Sequence, residues 1–272
     1  MTVSSIASLA SGIQRSLNQQ NNRVATAVSQ LVSGNRLVKA STDVAALSTA
    51  TSLQTQVSSL RTASLNISQA SSLLEVADGG AQQVGQVLDR LQSLALRAQS
   101  GDLSNTERAQ LDIEFQQLRS EINRVALSTN FNNKPLLDGS LTSGIDFQID
   151  DSSAPVNLQI GGLSDANLFS SDINILTADG ARAAFEQIQS AQNTVTAQRA
   201  EIGSFQQGLG FAADTLEVAI QNQEAARAEL SDADFAAIST ESAQAQVQQK
   251  ASISLLAQTN RLSGNILTLL NE

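Results

Sequence analysis

Hydrophobic residues recur along most of this 272-residue chain at alternating spacings of three and four, the pattern of a helix that buries one stripe against another helix. In the first segment Val3, Ala10, Leu17, Val24 and Leu31 fall seven apart, and Ile6, Ile13, Gln20 and Ala27 fill the intervening positions. From about Asp43 to Gln99 the repeat resumes in a new register. Leu53, Leu60, Ile67, Leu74, Ala81, Leu88 and Ala95 make one row, and Ala63, Ala70, Ala77, Val84, Leu91 and Ala98 make the other. A helix of about 55 residues is about 80 Å long, so the spacing predicts an elongated rod. The many alanines let a partner helix approach closely and reduce the area buried per contact.

The pattern breaks at "SGDLSNTER". Gly101 is placed to end the long helix, and Ser104 with Glu107 has the spacing of a capping box that starts the next one. Leu111, Phe115, Leu118, Ile122 and Val125 continue the stripe, which predicts a helical hairpin. Residues 129–176 change in kind. "NFNNKPLLDGS" is dense in turn formers, and Phe147 and Ile149, then Val156, Leu158 and Ile160, alternate at period two. A small, solvent-facing β-hairpin region is expected there. Helix resumes near Ala181, with Ile188, Val195, Ile202, Leu209 and Leu216 seven apart. After "ELSDADF", with Ser231 as its expected cap, a last stripe runs through Val247, Ala251, Leu255, Leu262, Ile266 and Leu269. The fold class is therefore mainly α: a rod of long heptad-patterned helices with one small β-hairpin region. Three segments follow, 1–42, 43–231 and 232–272. The two terminal helices are each too poor in large apolar groups to stand alone and are expected to pair as a coiled coil.

Composition narrows the chemistry. Apolar residues make up 41% of the chain and aromatic ones 3%, so the core is thin and suits closely spaced helices. The chain has no Cys, His, Trp or Tyr. Imidazole bases, thiolate nucleophiles, Ser-His-Asp triads and the usual zinc ligands are excluded, which leaves an enzyme only carboxylate, Lys, Ser or Thr chemistry. A net charge of -10 argues against a nucleic-acid partner, and the four cations of the first 42 residues, Arg15, Arg23, Arg36 and Lys39, read as a solvated face. No signal peptide is expected in "VSSIASLA", and no stretch approaches the ~18 apolar residues of a membrane span.

Candidate sites for small ligands are weak. Asp146, Asp150 and Asp151 lack the spacing of an EF-hand. "DGGAQQVG" at Asp78 is glycine-rich, but no strand precedes it and the heptads run straight through. No catalytic, cofactor or metal residue is named, and no cofactor is expected. The terminal stripes carry the functional expectation: Val3, Ile6, Ile13, Leu17, Val24, Leu31, Leu255, Leu262, Ile266 and Leu269 as an assembly surface.

Four segments, "LVSGNRLVKASTDVAAL", "LDRLQSLALRAQSG", "EINRVALSTNFNNKPLLDG" and above all "LAQTNRLSGNILTLL", resemble bacterial flagellin in order and in distance from the ends. The chain departs from the family pattern at Ser41 to Ala46, at Asn133 after Phe-Asn where glycine is usual, and at Ser263 where proline is frequent. The resemblance implies a short flagellin, restricted to the terminal coiled coil and the helical rod. It implies an extracellular structural subunit that polymerises with itself into the flagellar filament, with terminal helices that fold on assembly and line the filament core. By the same resemblance the partners are the flagellar export apparatus, an export chaperone, the filament cap, junction proteins and a Toll-like innate receptor. The matching receptor positions are Arg90, Leu94 and Glu114. The alternatives are a hook-filament junction protein of the same architecture and, distantly, a carboxylate-dependent enzyme.

Overall fold

The computed structural model describes the backbone of residues 3–149, 155–169 and 173–270, and within them all side chains except those of 3–7, 263 and 265–270. Among the described residues six helices and four short strands follow one another: α1 Val3–Ser33, α2 Val44–Ala98, α3 Asn105–Ser128, β1 Asn130–Phe131, β2 Lys134–Pro135, β3 Ile145–Phe147, β4 Val156–Leu158, α4 Asp165–Leu168, α5 Ala178–Ser231 and α6 Phe235–Leu270. Packing groups them into two compact units. One comprises residues 1–56 and 222–272, the other residues 57–221. The breaks between helices at 34–43 and 232–234 both fall inside the first of these.

In the unit 57–221 the heptad rows do what their spacing predicts. Ile67, Leu74, Ala81, Leu88 and Ala95 on one row of α2, and Ala70, Ala77, Val84, Leu91 and Ala98 on the other, are buried. They share one core with Phe115, Ile122 and Val125 of α3 and with Ile188, Val195, Ile202 and Leu209 of α5. Polar bonds tie the helices at the rim of that core: Arg199 Nε donates to Asp78 Oδ1 at 2.8 Å and Gln192 Nε2 donates to Asp89 Oδ1 at 2.8 Å.

The α2–α3 turn is closed by side chains. The Ser104 hydroxyl accepts from the Glu107 backbone N–H, and the Glu107 carboxylate accepts from the Ser104 N–H at 2.8 Å, completing the expected capping box. Gly101 is not among the residues with left-handed backbone. The free carbonyls at the end of α2 are taken instead by the buried Arg108, whose Nε donates to Ala98 O at 2.9 Å and whose Nη2 donates to Ser100 O at 2.8 Å. A cation over the last carbonyls of a helix also complements its dipole.

Residues 129–169 contribute more to the core than their polar composition predicts. β1 and β2 form a two-residue hairpin through Asn132 and Asn133, both left-handed at φ 48° and 62°. Such φ values are least costly for Gly and Asn, so two asparagines make this turn without a glycine. β3 pairs antiparallel with β4 in the register Ile145–Leu158 and Phe147–Val156, as the alternation predicts. Leu136, Leu137, Leu158, Ile160 and Leu163 are fully buried, so this region is not simply solvent-facing. A polar row on α3 holds the returning chain: Asp112 accepts from Ile175 N–H at 2.9 Å, Gln116 donates to Ile173 O at 3.1 Å, and Arg119 grips both carboxylate oxygens of Asp165 at 2.9 and 2.8 Å.

The glycine-rich "DGGAQQVG" stretch lies inside α2 and is explained by packing. A Cβ at Gly80 would lie 2.6 Å from Thr129 Oγ1 and 2.7 Å from Leu137 Cδ1, whereas one at Gly79 would meet nothing within 4 Å. Thr129 is tethered by its hydroxyl to Val125 O and Leu137 is fully buried, so neither yields easily. Gly80→Ala is expected to destabilise this unit by about 1–3 kcal/mol through overpacking. Gly79→Ala is expected to stabilise it by up to about 1 kcal/mol through helix propensity. Chemical denaturation of both variants checks the opposite signs.

The capping box carries a pH dependence. Hydrogen bonds from the Ser104 backbone and hydroxyl hold the Glu107 carboxyl below its ordinary value of 4.5. A carboxyl lowered in the folded chain stabilises fully above its unfolded value, and that contribution is lost as pH falls through the folded one. Amide protection in the first turn of α3, corrected for intrinsic exchange, should therefore hold steady above about pH 4.5 and decline below it. Glu107→Gln should remove the decline.

Candidate assembly surface

Within the unit formed by residues 1–56 and 222–272, α1 and α6 pack against each other along their length. Their common end is pinned by backbone bonds. Arg36 N–H donates to Ser231 O at 2.7 Å, Ala233 N–H donates to Gly34 O at 3.0 Å, and Asn35 bridges Asp232 antiparallel. Gly34 makes the turn at φ 66°, and Arg36 Nη2 adds a bond to Leu230 O at 2.8 Å. Leu37, Ala46 and Ala50 form a small cluster beside these bonds, with Leu47 and Leu230 against it. The N-terminal cap of α6 is Asp234, whose carboxylate accepts from Ala236 N–H and Ala237 N–H at 2.9 and 3.0 Å. Ser231, the expected cap, is instead the buried last residue of α5.

Helix α1 turns toward the pair the row its spacing predicts: Ala10, Ile13, Leu17, Gln20, Val24, Ala27 and Leu31 are buried or half-buried. Helix α6 does not. Its buried and half-buried row is Ile238, Ser242, Ala245, Gln249, Ser252, Leu256 and Thr259, again alternating by four and three. The expected stripe lies on another face, with Val247 67% exposed, Leu255 53% and Leu262 45%. Both rows are helical in period. The seam, however, goes to the row of small side chains, and sequence reasoning followed the large ones. Val3, Ile6, Ile266 and Leu269 sit on these helices, and their side chains lie outside the described residues.

The resulting surface is apolar and carries few charges. Leu9, Val28 and Val32 of α1 are exposed as well, and α6 carries Lys250, Arg261 and Glu241 as its only charged residues. On α6 the large aliphatic groups Val247, Leu255 and Leu262 face outward, while Ile238 and Leu256 join Ser242, Ala245, Ser252 and Thr259 on the inward row.

In the unit 57–221 Arg90 of α2 is bonded through Nε and Nη2 to Glu114 Oε1 of α3, at 2.9 and 2.6 Å. Leu94, one helical turn along, is 4% exposed and belongs to the core. The structure thus brings Arg90 and Glu114 together as an exposed ion pair and keeps Leu94 beneath the surface. Asp146 is engaged by Asn157 Nδ2 at 2.7 Å, and Asp150 and Asp151 lie outside the described residues. Among the described residues no helix is long and apolar enough to cross a membrane.

Known proteins resemble this chain over most of its length. Residues 5–142 match the bacterial flagellin N-terminal helical region, and residues 185–270 match the bacterial flagellin C-terminal helical region. The flagellin FlaB1 of Treponema pallidum is 29% identical, over 94% of this chain and 96% of its own. The flagellar filament 30.7 kDa core protein of Treponema maltophilum is 27% identical, over 94% of this chain and 95% of its own. The crystal structure of Bacillus cereus flagellin aligns with a TM-score of 0.50 at 26% identity, covering 56% of this chain and 88% of that one. The matched regions take in both terminal helices, the α2–α3 hairpin and most of α5, and the chain belongs to the bacterial flagellin family, the structural subunits of the extracellular flagellar filament.

Proposed function

We propose that copies of this chain polymerise through the α1–α6 pair, and that the pair becomes stably ordered only when further copies cover it. One observation carries the reading: α6 turns Ser242, Ala245, Ser252 and Thr259 inward and leaves Val247, Leu255 and Leu262 exposed. Full burial of one Leu or Val side chain stabilises by about 1.5–3 kcal/mol, so most of the apolar gain available to these helices lies outside the single chain. Ordering a residue costs about 1–2 kcal/mol of backbone entropy alone, which the small inward seam does not offset over the length of two helices. The three-part division 1–42, 43–231 and 232–272 then has a functional meaning. The two ends assemble, and the middle segment carries its own core over residues 57–221, its flanks 43–56 and 222–231 packing with the terminal unit.

The role is structural rather than enzymatic, in keeping with a chain that has no His or Cys. Export apparatus, export chaperone, filament cap and junction proteins are the partners that the family resemblance implies. The exposed Val247, Leu255 and Leu262 of α6 are available to such partners. Unlimited growth on filament seeds separates this reading from that of a junction protein, which adds once and stops.

For a Toll-like receptor the contact would centre on the exposed Arg90–Glu114 pair, with Leu94 supporting it from below. Arg90→Ala should weaken receptor binding by wild-type-like monomer, measured by surface plasmon resonance. Equal binding of variant and wild type, or none by either, removes this contact.

Leu255→Asp tests the assembly reading. Leu255 is 53% exposed, so the folded chain loses little, and the denaturation midpoint of the unit 57–221 should be unchanged. Seeded polymerisation followed by sedimentation should fall at least tenfold, because a carboxylate cannot be buried unpaired between copies. Amide exchange should show α1 and α6 weakly protected in monomer and strongly protected in filaments. Normal polymerisation of the variant would falsify the proposal.

A further inference from the structure

The middle of the α1–α6 seam holds the longest polar side chains that either helix turns inward. Gln20 is 8% exposed, and its Oε1 is buried with no hydrogen-bond partner among the described residues. Gln249 Nε2 reaches across to Asn21 Oδ1 at 2.6 Å. That bond, together with the antiparallel Asn35–Asp232 bridge, sets Gln20 opposite Gln249. Counting outward from this layer, the buried rows match step for step. Leu17 falls opposite Ser252, Ile13 opposite Leu256, Val24 opposite Ala245, Ala27 opposite Ser242 and Leu31 opposite Ile238.

We propose that Gln20 and Gln249 form a register-setting layer for the terminal pair. The other layers discriminate poorly: a small or aliphatic residue faces another in each, and sliding by one heptad replaces them with similar pairs. Only the glutamine layer changes in kind. A slip in one direction puts Gln20 against Leu256 and Gln249 against Ala27. A slip in the other puts Gln20 against Ser242 and Gln249 against Ile13. Either slip takes Gln249 away from Asn21 and buries at least one glutamine amide against an aliphatic side chain, which is how a single buried polar position fixes alignment in coiled coils. Within one chain the backbone bonds around Asn35 and Arg36 also hold the common end of the pair. The glutamines hold the alignment along the rest of the pair, in the monomer and, resting on the polymerisation reading above, in the filament.

The absence of cysteine makes the register directly measurable. In the full chain, Leu17→Cys with Ser252→Cys reports the observed alignment. Leu17→Cys with Thr259→Cys, and with Ala245→Cys, reports slip in either direction. One heptad is about 10 Å of helix, whereas a disulfide joins Cα atoms only about 4.4–6.8 Å apart, so the reporters do not overlap. Each is oxidised as monomer and after addition to filament seeds, and the bridges are quantified. With both glutamines present only the observed-register bridge should form. In a Gln20→Leu/Gln249→Leu background the slipped bridges should rise about tenfold relative to it. Slipped bridges that stay absent in that background mean that the backbone bonds set the register alone, and overturn the proposal. Failure of the observed-register bridge in both states overturns it as well. Seeds that add no wild-type subunits, with the monomer result intact, count against polymerisation and leave the register assignment within one chain standing.

Discussion

A helix can satisfy only one face against one partner, and the terminal pair assigns its faces unequally. Ala27, Ser242, Ala245 and Thr259, with Gln20 and Ile238, are the buried residues of the seam, and Leu9, Val247, Leu255 and Leu262 stand outside it. Small inward residues bring the two helix axes close and gain little from the contact. The outward aliphatic groups gain nothing within the single chain, and on the proposed reading a neighbouring copy covers them. In a polymer of identical subunits this ordering has a direct use. A pair held strongly by its own seam would need no neighbours, and one with large groups on both faces would aggregate without specificity.

The unit 57–221 follows the opposite rule. Here a set of large side chains, Leu74, Leu88, Leu91, Phe115 and Ile188, is wholly buried within the unit, while others such as Leu65, Ile113 and Phe211 stand exposed on its other faces. Polar groups are used at its rim and ends, where they hold defined geometry. Arg108 closes the last turn of α2, the Asp112–Gln116–Arg119 row binds the returning chain, and Gly80 admits Thr129 and Leu137 to the surface of α2. The contrast lies in where the large side chains point rather than in composition, for both units are made of heptad-patterned helices.

That is also why the sequence could be read well in one unit and less well in the other. Where hydrophobicity and burial coincide, as along Ile67, Leu74, Ala81 and Leu88, the period locates the core residue by residue, and the α2 boundaries and the Ser104–Glu107 box follow from local chemistry. In α6 two helical rows compete, and the one that pairs is written in Ser, Ala, Gln and Thr. A hydrophobicity period cannot find it. Leu136 and Leu137 were hidden by the polar residues around them, and the need for glycine at position 80 depends on residues about 50 positions away in sequence, which no local pattern encodes.

The segment 34–43 and the break at 232–234 explain how such a weakly held pair starts in the right place. Gly34 turns left-handed, Asn35 and Arg36 bond the backbone at 230–232, and Asp43 caps the next helix by accepting from Ala46 N–H at 2.9 Å. These are directional bonds between groups that are short and fixed by local geometry, so they define position without requiring a large core. A seam rich in alanine and serine cannot define its own alignment by shape. The anchor at one end and the glutamine layer at the middle divide that task, and the aliphatic ridge of α6 is free to be shaped by what it must bind.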